Sequence, residues 1–188
     1  MSDAPPPVTL LVDGYNMIGS WAVLKKAAGR GKHIFSDPVG LATARNQLIH
    51  LLTEYTAFQG YRTEIVFDAQ HRDSPGAAEQ ITNHLKVYFT DFGQTADTYI
   101  ERVCSLAWQN RHVNLERIIV ATSDRNHRLT VTGYGAEWMS AQRLSDDVQT
   151  VLHLIRQKQK SRHQSPRRGL AHQLDPVAKA KLEQMRFK

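Results

Sequence analysis

Short apolar runs alternate with longer, more polar segments along the chain. Four of these runs are rich in β-branched or aromatic residues, and their length of about five residues favours strands over helices. They lie at residues 8–12, 63–67, 85–90 and 117–121, and a brief fifth run lies near 137–139. The run at 8–12 is continuously apolar or β-branched, which is typical of a central parallel strand. The pattern therefore predicts five strands.

The segments between these runs carry helical periodicity. After Pro38, apolar residues recur at steps of three and four as far as Gly60, which predicts an amphipathic helix with a glycine stop. They are Leu41, Ala44, Leu48, Leu51, Leu52, Tyr55 and Phe58. Thr95 can cap a second helix, whose buried stripe would be Ile100, Val103, Cys104 and Ala107. A helix through Arg128 and a long helix from Ser140 complete the set.

Strands that alternate with helices predict the fold class α/β, with a mainly parallel central sheet and helices on both faces. Two segments are predicted as loops, the basic, glycine-containing residues 25–32 and the polar residues 69–79. We expect the Pro-rich residues 1–7 to be disordered. Residues 8–156 should form one domain, and residues 157–188 should form a basic C-terminal extension.

Positive charge is concentrated at the end of the chain. Residues 156–188 hold ten Lys and Arg against Asp175 and Glu183, whereas the residues before them hold 14 Lys and Arg against 16 Asp and Glu. Such a segment suits contact with a polyanion through counterion release, and a solvated tail without a fixed partner is the alternative. The candidate basic contacts are Lys25, Lys26, Arg30 and Lys32 in the first loop and Lys158, Lys160, Arg162, Arg167 and Arg168 in the extension.

Several classes of site are excluded by composition and motif. Cys104 is the only cysteine, so neither an intramolecular disulfide nor a multi-thiolate zinc site can form. The chain lacks a G-x-S-x-G elbow, an H-E-x-x-H pair and a phosphate-binding G-x-x-x-x-G-K-[ST] loop. Position 15 is Tyr, where a haloacid-type phosphotransferase needs a second Asp. The apolar runs are too short to cross a bilayer, and no signal-peptide pattern is present, so we expect a cytoplasmic protein.

Acidic residues follow three of the predicted strands. Asp13, Asp68 and Asp124 come at or just after the carboxyl ends of the runs, where ligands of open α/β sheets bind. Gly14 would let the chain turn away so that the Asp13 carboxylate faces this crevice. Asp97 and Glu101 lie four residues apart on one helical face, where two carboxylates repel each other unless a cation lies between them. Mg²⁺ or Mn²⁺ takes such oxygen ligands.

Asp97, Asp124 and Asp68 also have ordinary structural explanations. Asp97 could stabilise a helix N-terminus through the helix dipole, and Asp124 could be a helix cap. Asp68 and Asp73 could belong to a turn. Spacing alone therefore leaves the metal site and these local roles open.

Taken in order, the motifs resemble a known family, the NYN domains of YacP type. The motifs are VDGYNMI at 12–18, VFDA at 66–69, VYFT at 87–90, TADTYIE at 95–101, VATSD at 120–124 and GAEWMS at 135–140. The resemblance covers roughly residues 8–156. It implies a PIN-like α/β fold with acidic residues clustered at one edge, and RNA cleavage with Mg²⁺ or Mn²⁺.

The resemblance also implies roles for single residues. Asp13, Asp97 and Asp124 would bind metal. Glu101 would support them, as a further metal ligand or by adding charge or holding a water, and Asn16 would orient a ligand, water or phosphate. Thr122 and Ser123 would support these residues, and Asp68 would lie at the side of the pocket. Tyr15 and Trp21 are candidates for stacking on bases, although Trp21 could equally be a core residue.

The leading expectation is a metal-dependent endoribonuclease, acting on mRNA, rRNA or tRNA that is free or bound to the ribosome. The alternatives are a non-catalytic RNA- or ribosome-binding module on the same fold and a phosphatase of small molecules. The long helix from Ser140 could cover the sheet or mediate a dimer, so the sequence is compatible with a monomer or a homodimer.

Overall fold

The computed structural model describes residues 7–29, 37–69, 76–110 and 116–164. For residues 162–164 it describes the backbone only. The chain divides into two compact units, Met1–Leu152 and His153–Lys188. Within the first unit, the described residues form one sheet with the strand order β3-β4-β2-β1-β5-β6. The strands are β1 (Val8–Asp13), β2 (Arg62–Phe67), β3 (Ala77–Thr82), β4 (Leu85–Phe89), β5 (Arg117–Ala121) and β6 (Glu137–Met139).

The sheet is parallel except at one edge. β1 pairs with β2 and β5, β2 pairs with β4, and β5 pairs with β6, all in parallel register. β3 is antiparallel to β4. The helices are α1 (Gly14–Ser20), α2 (Ala22–Ala28), α3 (Pro38–Gln59), α4 (Ala96–Gln109), α5 (Arg125–Gly133) and α6 (Ala141–Gln164). The predicted fold class, a mainly parallel α/β sheet, is confirmed.

Both faces of the central strands β1, β2 and β5 are buried, since successive strand residues point to opposite sides and both sets of side chains are covered. On one face, Leu11, Val66 and Val120 pack with Ile100 and Cys104 of α4. The residues that alternate with them are also fully buried, among them Leu10, Val12 and Ile65. Cys104 is therefore a core residue, as its place in the predicted stripe suggests. No helix among the described residues is both long and apolar enough to cross a membrane.

The predicted helices and strands are mostly present with the caps that the sequence indicates. α3 ends at Gly60, which has a left-handed conformation. The hydroxyl of Thr95 accepts a hydrogen bond from the backbone N–H of Thr98 at the start of α4. These ends agree with the prediction because capping is a local property of the chain.

Two predicted loops contain regular structure. Lys25 and Lys26 lie in α2, whereas residues 30–32 of the predicted basic loop are outside the described residues. β3 begins inside the predicted loop 69–79, of which residues 70–75 are also outside the described part. β3 is an edge strand whose first four residues are exposed, so it carries no apolar pattern and is held by its main-chain pairing with β4.

Gly14 has a different role from the one expected. It does not turn the chain away, because it begins α1 directly after Asp13, and its φ is not positive. Glycine is needed because a Cβ at this position would lie 2.2 Å from Cε1 of Phe67, whose ring is fully buried. The close approach of α1 to β2 places the start of this helix against the sheet edge.

Candidate active site

Three neighbouring strands deliver acidic residues to one edge of the sheet. β1 lies between β2 and β5 and runs parallel to both. Asp13 is the last residue of β1, Asp68 directly follows β2, and residues 122–124 follow β5. Since the crevice beyond such carboxyl ends is the usual ligand site of open α/β sheets, the strand order places these side chains where this fold binds its ligands.

Asp13 is held in place by the helix that it starts. Its Oδ1 accepts a hydrogen bond of 2.9 Å from the backbone N–H of Asn16, which makes it the N-cap of α1. Burial raises the pKa of Asp13 to about 6, and the hydrogen bond from Asn16 opposes this rise. The negative charges of Asp97 and Asp68 raise the pKa further. The carboxylate is therefore fixed in position but poorly compensated by the protein itself.

Asp97 and His127 meet next to Asp13. Nδ1 of His127 lies 2.7 Å from Oδ1 of Asp97. The His127 side chain is almost fully buried, whereas the Asp97 side chain is 43% exposed. Burial lowers the pKa of His127, but contact with Asp97 and the charges of Asp13 and Glu101 outweigh it, so the net pKa is raised. One potential ligand atom from each of Asp13, Asp97 and His127 lies within 4.8 Å of the other two.

This cluster fits a divalent cation. Two carboxylate oxygens suit Mg²⁺ or Mn²⁺, and imidazole nitrogen is a common ligand of transition cations. Nδ1 of His127 faces Oδ1 of Asp97, whereas Nε2 of His127 is buried without a hydrogen-bond partner among the described residues. Buried polar atoms without partners cost free energy, and coordination of a cation would compensate them. Asp13, Asp97 and His127 are thus the residues that could hold a metal.

Asp124 lies outside this group of three and acts as a helix cap. Its Oδ1 accepts hydrogen bonds from the backbone N–H groups of Asn126, at 2.7 Å, and of His127, at 3.1 Å. Asp124 is exposed and starts the helix α5 on which His127 lies. Its carboxylate therefore helps to orient the first turn of α5.

Asp68, after β2, and Glu101, on α4, border the cluster. Asp68 accepts a hydrogen bond from the backbone N–H of Ala96, the first residue of α4, and so fixes the start of the helix that carries Asp97. Burial raises the pKa of Asp68, the Ala96 bond opposes this, and Asp97 raises it further. Glu101 is one turn beyond Asp97, and its charge is felt by His127.

Asn16 connects the two motifs that follow β1 and β5. Its side-chain Oδ1 accepts a 2.8 Å hydrogen bond from the backbone N–H of Ser123. The hydroxyl of Thr122 accepts from the backbone N–H of Asp124 at 3.1 Å, and the Ser123 hydroxyl accepts from that of Ala141 at 3.3 Å. These contacts hold the loop after β5 against α1, next to Asp13.

His127 is the functional candidate that the sequence did not single out. The histidines looked scattered because no H-E-x-x-H spacing was present. The available signal was its place three residues after Asp124, in the first turn of a helix that starts at the acidic edge. A side chain in a first helical turn points back towards the N-terminus of that helix, which here is the acidic edge.

The candidate RNA contacts differ in their exposure. Trp21 is buried, and its indole N–H donates a 2.7 Å hydrogen bond to the backbone oxygen of Ala141, so the suggestion that it stacks on bases is wrong. Tyr15 is half-buried against the ring of Phe67. Lys25, Lys26, Lys158 and Lys160 are exposed on α2 and α6. The other basic candidates are outside the described part of the chain, namely Arg30, Lys32, Arg167, Arg168 and the side chain of Arg162.

The fold and its acidic edge together define an α/β domain of the PIN-like, nuclease-like class. A family model described as "YacP-like NYN domain" matches residues 10–187. The chain is 36% identical over 150 residues to the uncharacterized protein YacP of Bacillus subtilis, a match that covers 79% of each chain. It therefore belongs to the YacP-like NYN domain family.

Solved structures agree with this assignment. The structure of Rae1 (YacP) from Bacillus subtilis matches with a TM-score of 0.62 and 31% identity, over 95% of this chain and 95% of that one. A mutant of the same protein matches with a TM-score of 0.64 and 28% identity, over 94% of this chain and 99% of that chain. The predicted family is confirmed, whereas the domain limits at residues 7 and 156 stay predictions.

Proposed function

We propose that the protein is a metal-dependent endoribonuclease that hydrolyses RNA phosphodiester bonds in the cytoplasm. The proposal rests on the convergence of Asp13, Asp97 and His127 at the carboxyl edge of the sheet. One potential ligand atom from each of them lies within 4.8 Å of the other two. Membership of a nuclease-like family supports the reaction class. Bound Mg²⁺ or Mn²⁺ would supply an activated water and would neutralise charge on the scissile phosphate.

The residues of the chain have separate parts in this proposal. Asp13 and Asp97 provide carboxylate ligands, and His127 provides a buried nitrogen beside them. Asp124 and Glu101, which the sequence predicts as ligands, add negative charge around the cluster, and Asp124 also caps α5. Asp68, Asn16, Thr122 and Ser123 are positioning residues, since the bond of Asp68 fixes the start of α4 and the bonds of the others hold the loop after β5 in place against α1.

Basic residues provide contacts to the RNA backbone in the proposal. Lys25 and Lys26 are exposed on α2, and Lys158 and Lys160 are exposed on α6. The basic residues of the C-terminal extension would add affinity for RNA of any sequence, because phosphate contacts do not distinguish sequences. Ribosome-bound RNA is included among the proposed substrates, since an exposed RNA loop presents the same backbone.

The test is cleavage of a single-stranded RNA labelled at one end, with EDTA, Mg²⁺ or Mn²⁺. We expect internal cleavage with metal and none with EDTA. Binding that persists in EDTA, without cleavage under any metal, would instead favour the non-catalytic RNA-binding module. The phosphatase would be favoured if the protein hydrolysed a small phosphate ester but cleaved no RNA. This hydrolysis should then be unaffected by removal of the C-terminal extension.

A further inference from the structure

Arg45 is a fixed cation at the acidic edge of the sheet. It lies on α3, and its Nη1 donates a 3.2 Å hydrogen bond to the hydroxyl of Tyr15. Its Cζ lies 5.8 Å from the ring centroid of Phe89. No carboxylate of the described residues forms an ion pair with Arg45, whereas Arg117 forms two hydrogen bonds of 2.8 Å with Glu137.

The two aromatic contacts determine where Arg45 lies. Tyr15 is two residues beyond Asp13 in the first turn of α1, and Phe89 is the last residue of β4. Both rings contact Phe67: the Tyr15 ring is tilted against it with centroids 5.1 Å apart, and the Phe89 ring is stacked on it with centroids 5.5 Å apart. Arg45 is therefore held on the α1 and α3 side of the strand ends, whereas Asp97 and His127 approach from α4 and α5.

The negative charge of the site makes a nearby cation such as Arg45 useful for binding a phosphate group. Asp13, Asp68 and Asp97 place three carboxylates at this edge, and they repel a polyanionic substrate. A guanidinium has five N–H donors in a planar fork that matches phosphate. Among the described residues, this guanidinium donates one hydrogen bond, to Tyr15, which leaves most of the fork for a ligand. Half-burial and stacking reduce the conformational freedom that Arg45 would lose on binding.

We propose that Arg45 forms a phosphate subsite that binds the phosphodiester next to the one that is cut, with Tyr15 as the residue that positions its guanidinium. This inference rests on the proposed endoribonuclease function. It adds a specific requirement for a charged phosphate at one neighbouring linkage. The subsite differs from the basic tail because it is part of the folded edge and acts at a single linkage.

The first experiment measures steady-state cleavage of a short single-stranded RNA by three variants. Arg45→Ala should raise KM roughly tenfold or more, the size expected for loss of a charge-assisted hydrogen bond, with kcat within about twofold. Arg45→Lys should be intermediate because it keeps the charge without the fork. Tyr15→Phe should give a smaller rise in KM, since it keeps the ring contact with Phe67 but removes the hydroxyl that accepts the hydrogen bond from Arg45. The matched control is Arg62→Ala, which removes an exposed arginine at the amino end of β2.

The second experiment replaces the phosphodiester next to the cut by an uncharged methylphosphonate. The wild type should lose affinity for this RNA to the level of Arg45→Ala, and Arg45→Ala itself should show little further loss. A merely structural role of Arg45 would make both proteins respond equally to the modified RNA. Equal KM values for the wild type and Arg45→Ala, in a protein that does cleave RNA, would overturn the subsite and leave the proposed function intact.

If the wild type cleaves no RNA with any metal, the proposed function fails and RNA binding by the same variants decides the subsite. Weaker binding by Arg45→Ala than by Arg62→Ala would support it, and equal binding would overturn it. Thermal unfolding of each variant controls for folding. If Arg45→Ala is unfolded, Arg45→Lys and Tyr15→Phe provide the comparison.

Discussion

Nδ1 of His127 lies 2.7 Å from Oδ1 of Asp97, and this contact joins the first turns of α4 and α5 at the acidic edge. The imidazole is buried and the carboxylate is partly exposed. The pair therefore presents a carboxylate to solvent with a histidine behind it, next to Asp13. In a metal site, such a histidine can act as a ligand or can hold the carboxylate in its binding orientation.

Replacement of His127 tests this arrangement directly. His127→Gln should raise the Mn²⁺ concentration needed for half-maximal RNA cleavage by about 10- to 100-fold, the range seen when ligand support is removed. The control is His50→Gln, since His50 is exposed on α3. An unchanged metal requirement in a folded His127→Gln protein would remove His127 from the site.

Replacement of Asp97 tests the carboxylate itself. Asp97→Asn should reduce cleavage by at least about a hundredfold with either metal, because it removes a charged ligand. The cap of α4 belongs to Thr95, so the variant should keep its far-ultraviolet circular dichroism spectrum and melt cooperatively. Asp146→Asn, at an exposed position of α6, should retain full activity. A fully active Asp97→Asn enzyme would contradict the assignment.

Asp13 should make stability depend on pH. Its pKa is about 6 in the folded protein, against an ordinary value of 3.8, so the folded state binds the proton more tightly. The ionised carboxylate therefore destabilises the fold, and stability should fall as pH rises through 6. In EDTA, Asp13→Asn should be more stable than the wild type at pH 8 by about 2 to 3 kcal/mol, given about 1.36 kcal/mol per pKa unit.

This gain should disappear below the ordinary pKa, where the wild-type side chain is neutral in both states. Asparagine caps helices as well as aspartate does, so the hydrogen bond from Asn16 is kept and the comparison isolates the charge. Urea unfolding at pH 8 and at pH 3 measures both values. Destabilisation by Asp13→Asn at pH 8 would show that local bonding, and not desolvation, dominates at this residue.

Gly14 should be intolerant of even one methyl group. The Cβ of Gly14→Ala would meet the buried Phe67 ring at 2.2 Å, and overpacking of this kind costs about 1 to 3 kcal/mol. Gly133→Ala is the matched control, since a Cβ there meets no atom within 4 Å. The control should be neutral or slightly stabilising because alanine favours helix. Similar unfolding free energies for the two variants would contradict the close approach.

The basic tail should contribute mainly electrostatic affinity. A chain that ends at Gln164 lacks Arg167, Arg168 and four further Lys or Arg residues. Its affinity for RNA should be lower, and the slope of log affinity against log salt concentration should be less negative than for the full chain. Fluorescence anisotropy of the cleavage-deficient Asp97→Asn protein, with and without the tail, measures both quantities. Identical slopes would indicate a tail without contact to RNA.

Much of the fold could be predicted because its signals are local. The apolar runs of β1, β2, β4 and β5 indicate buried strands, and Thr95 and Gly60 indicate helix ends. β3 was missed because its exposed residues carry no apolar pattern, and its stability comes from pairing with β4. The short helix α2 was missed because the charge and glycines around it resemble a loop.

The site was less predictable because its geometry depends on residues far apart in the chain. Asp13 could be proposed as a site residue because it ends an apolar strand run, and Asp97 because it follows the predicted helix cap Thr95. The approach of His127 depends on the place of β5 beside β1 and on the direction of α5, which no local pattern shows. The burial of Trp21 likewise depends on Ala141, 120 positions further along the chain.

The strand order also determines when the site can exist during synthesis. Asp13 is on the first strand, but Asp97 and His127 come later in the chain, and His127 is positioned by a helix that follows β5. β1 acquires its second neighbour only when β5 has been made. A nascent chain therefore lacks the complete set of three candidate ligands until most of the domain has left the exit tunnel. In a nuclease, this order of assembly would delay cleavage until the enzyme is nearly complete.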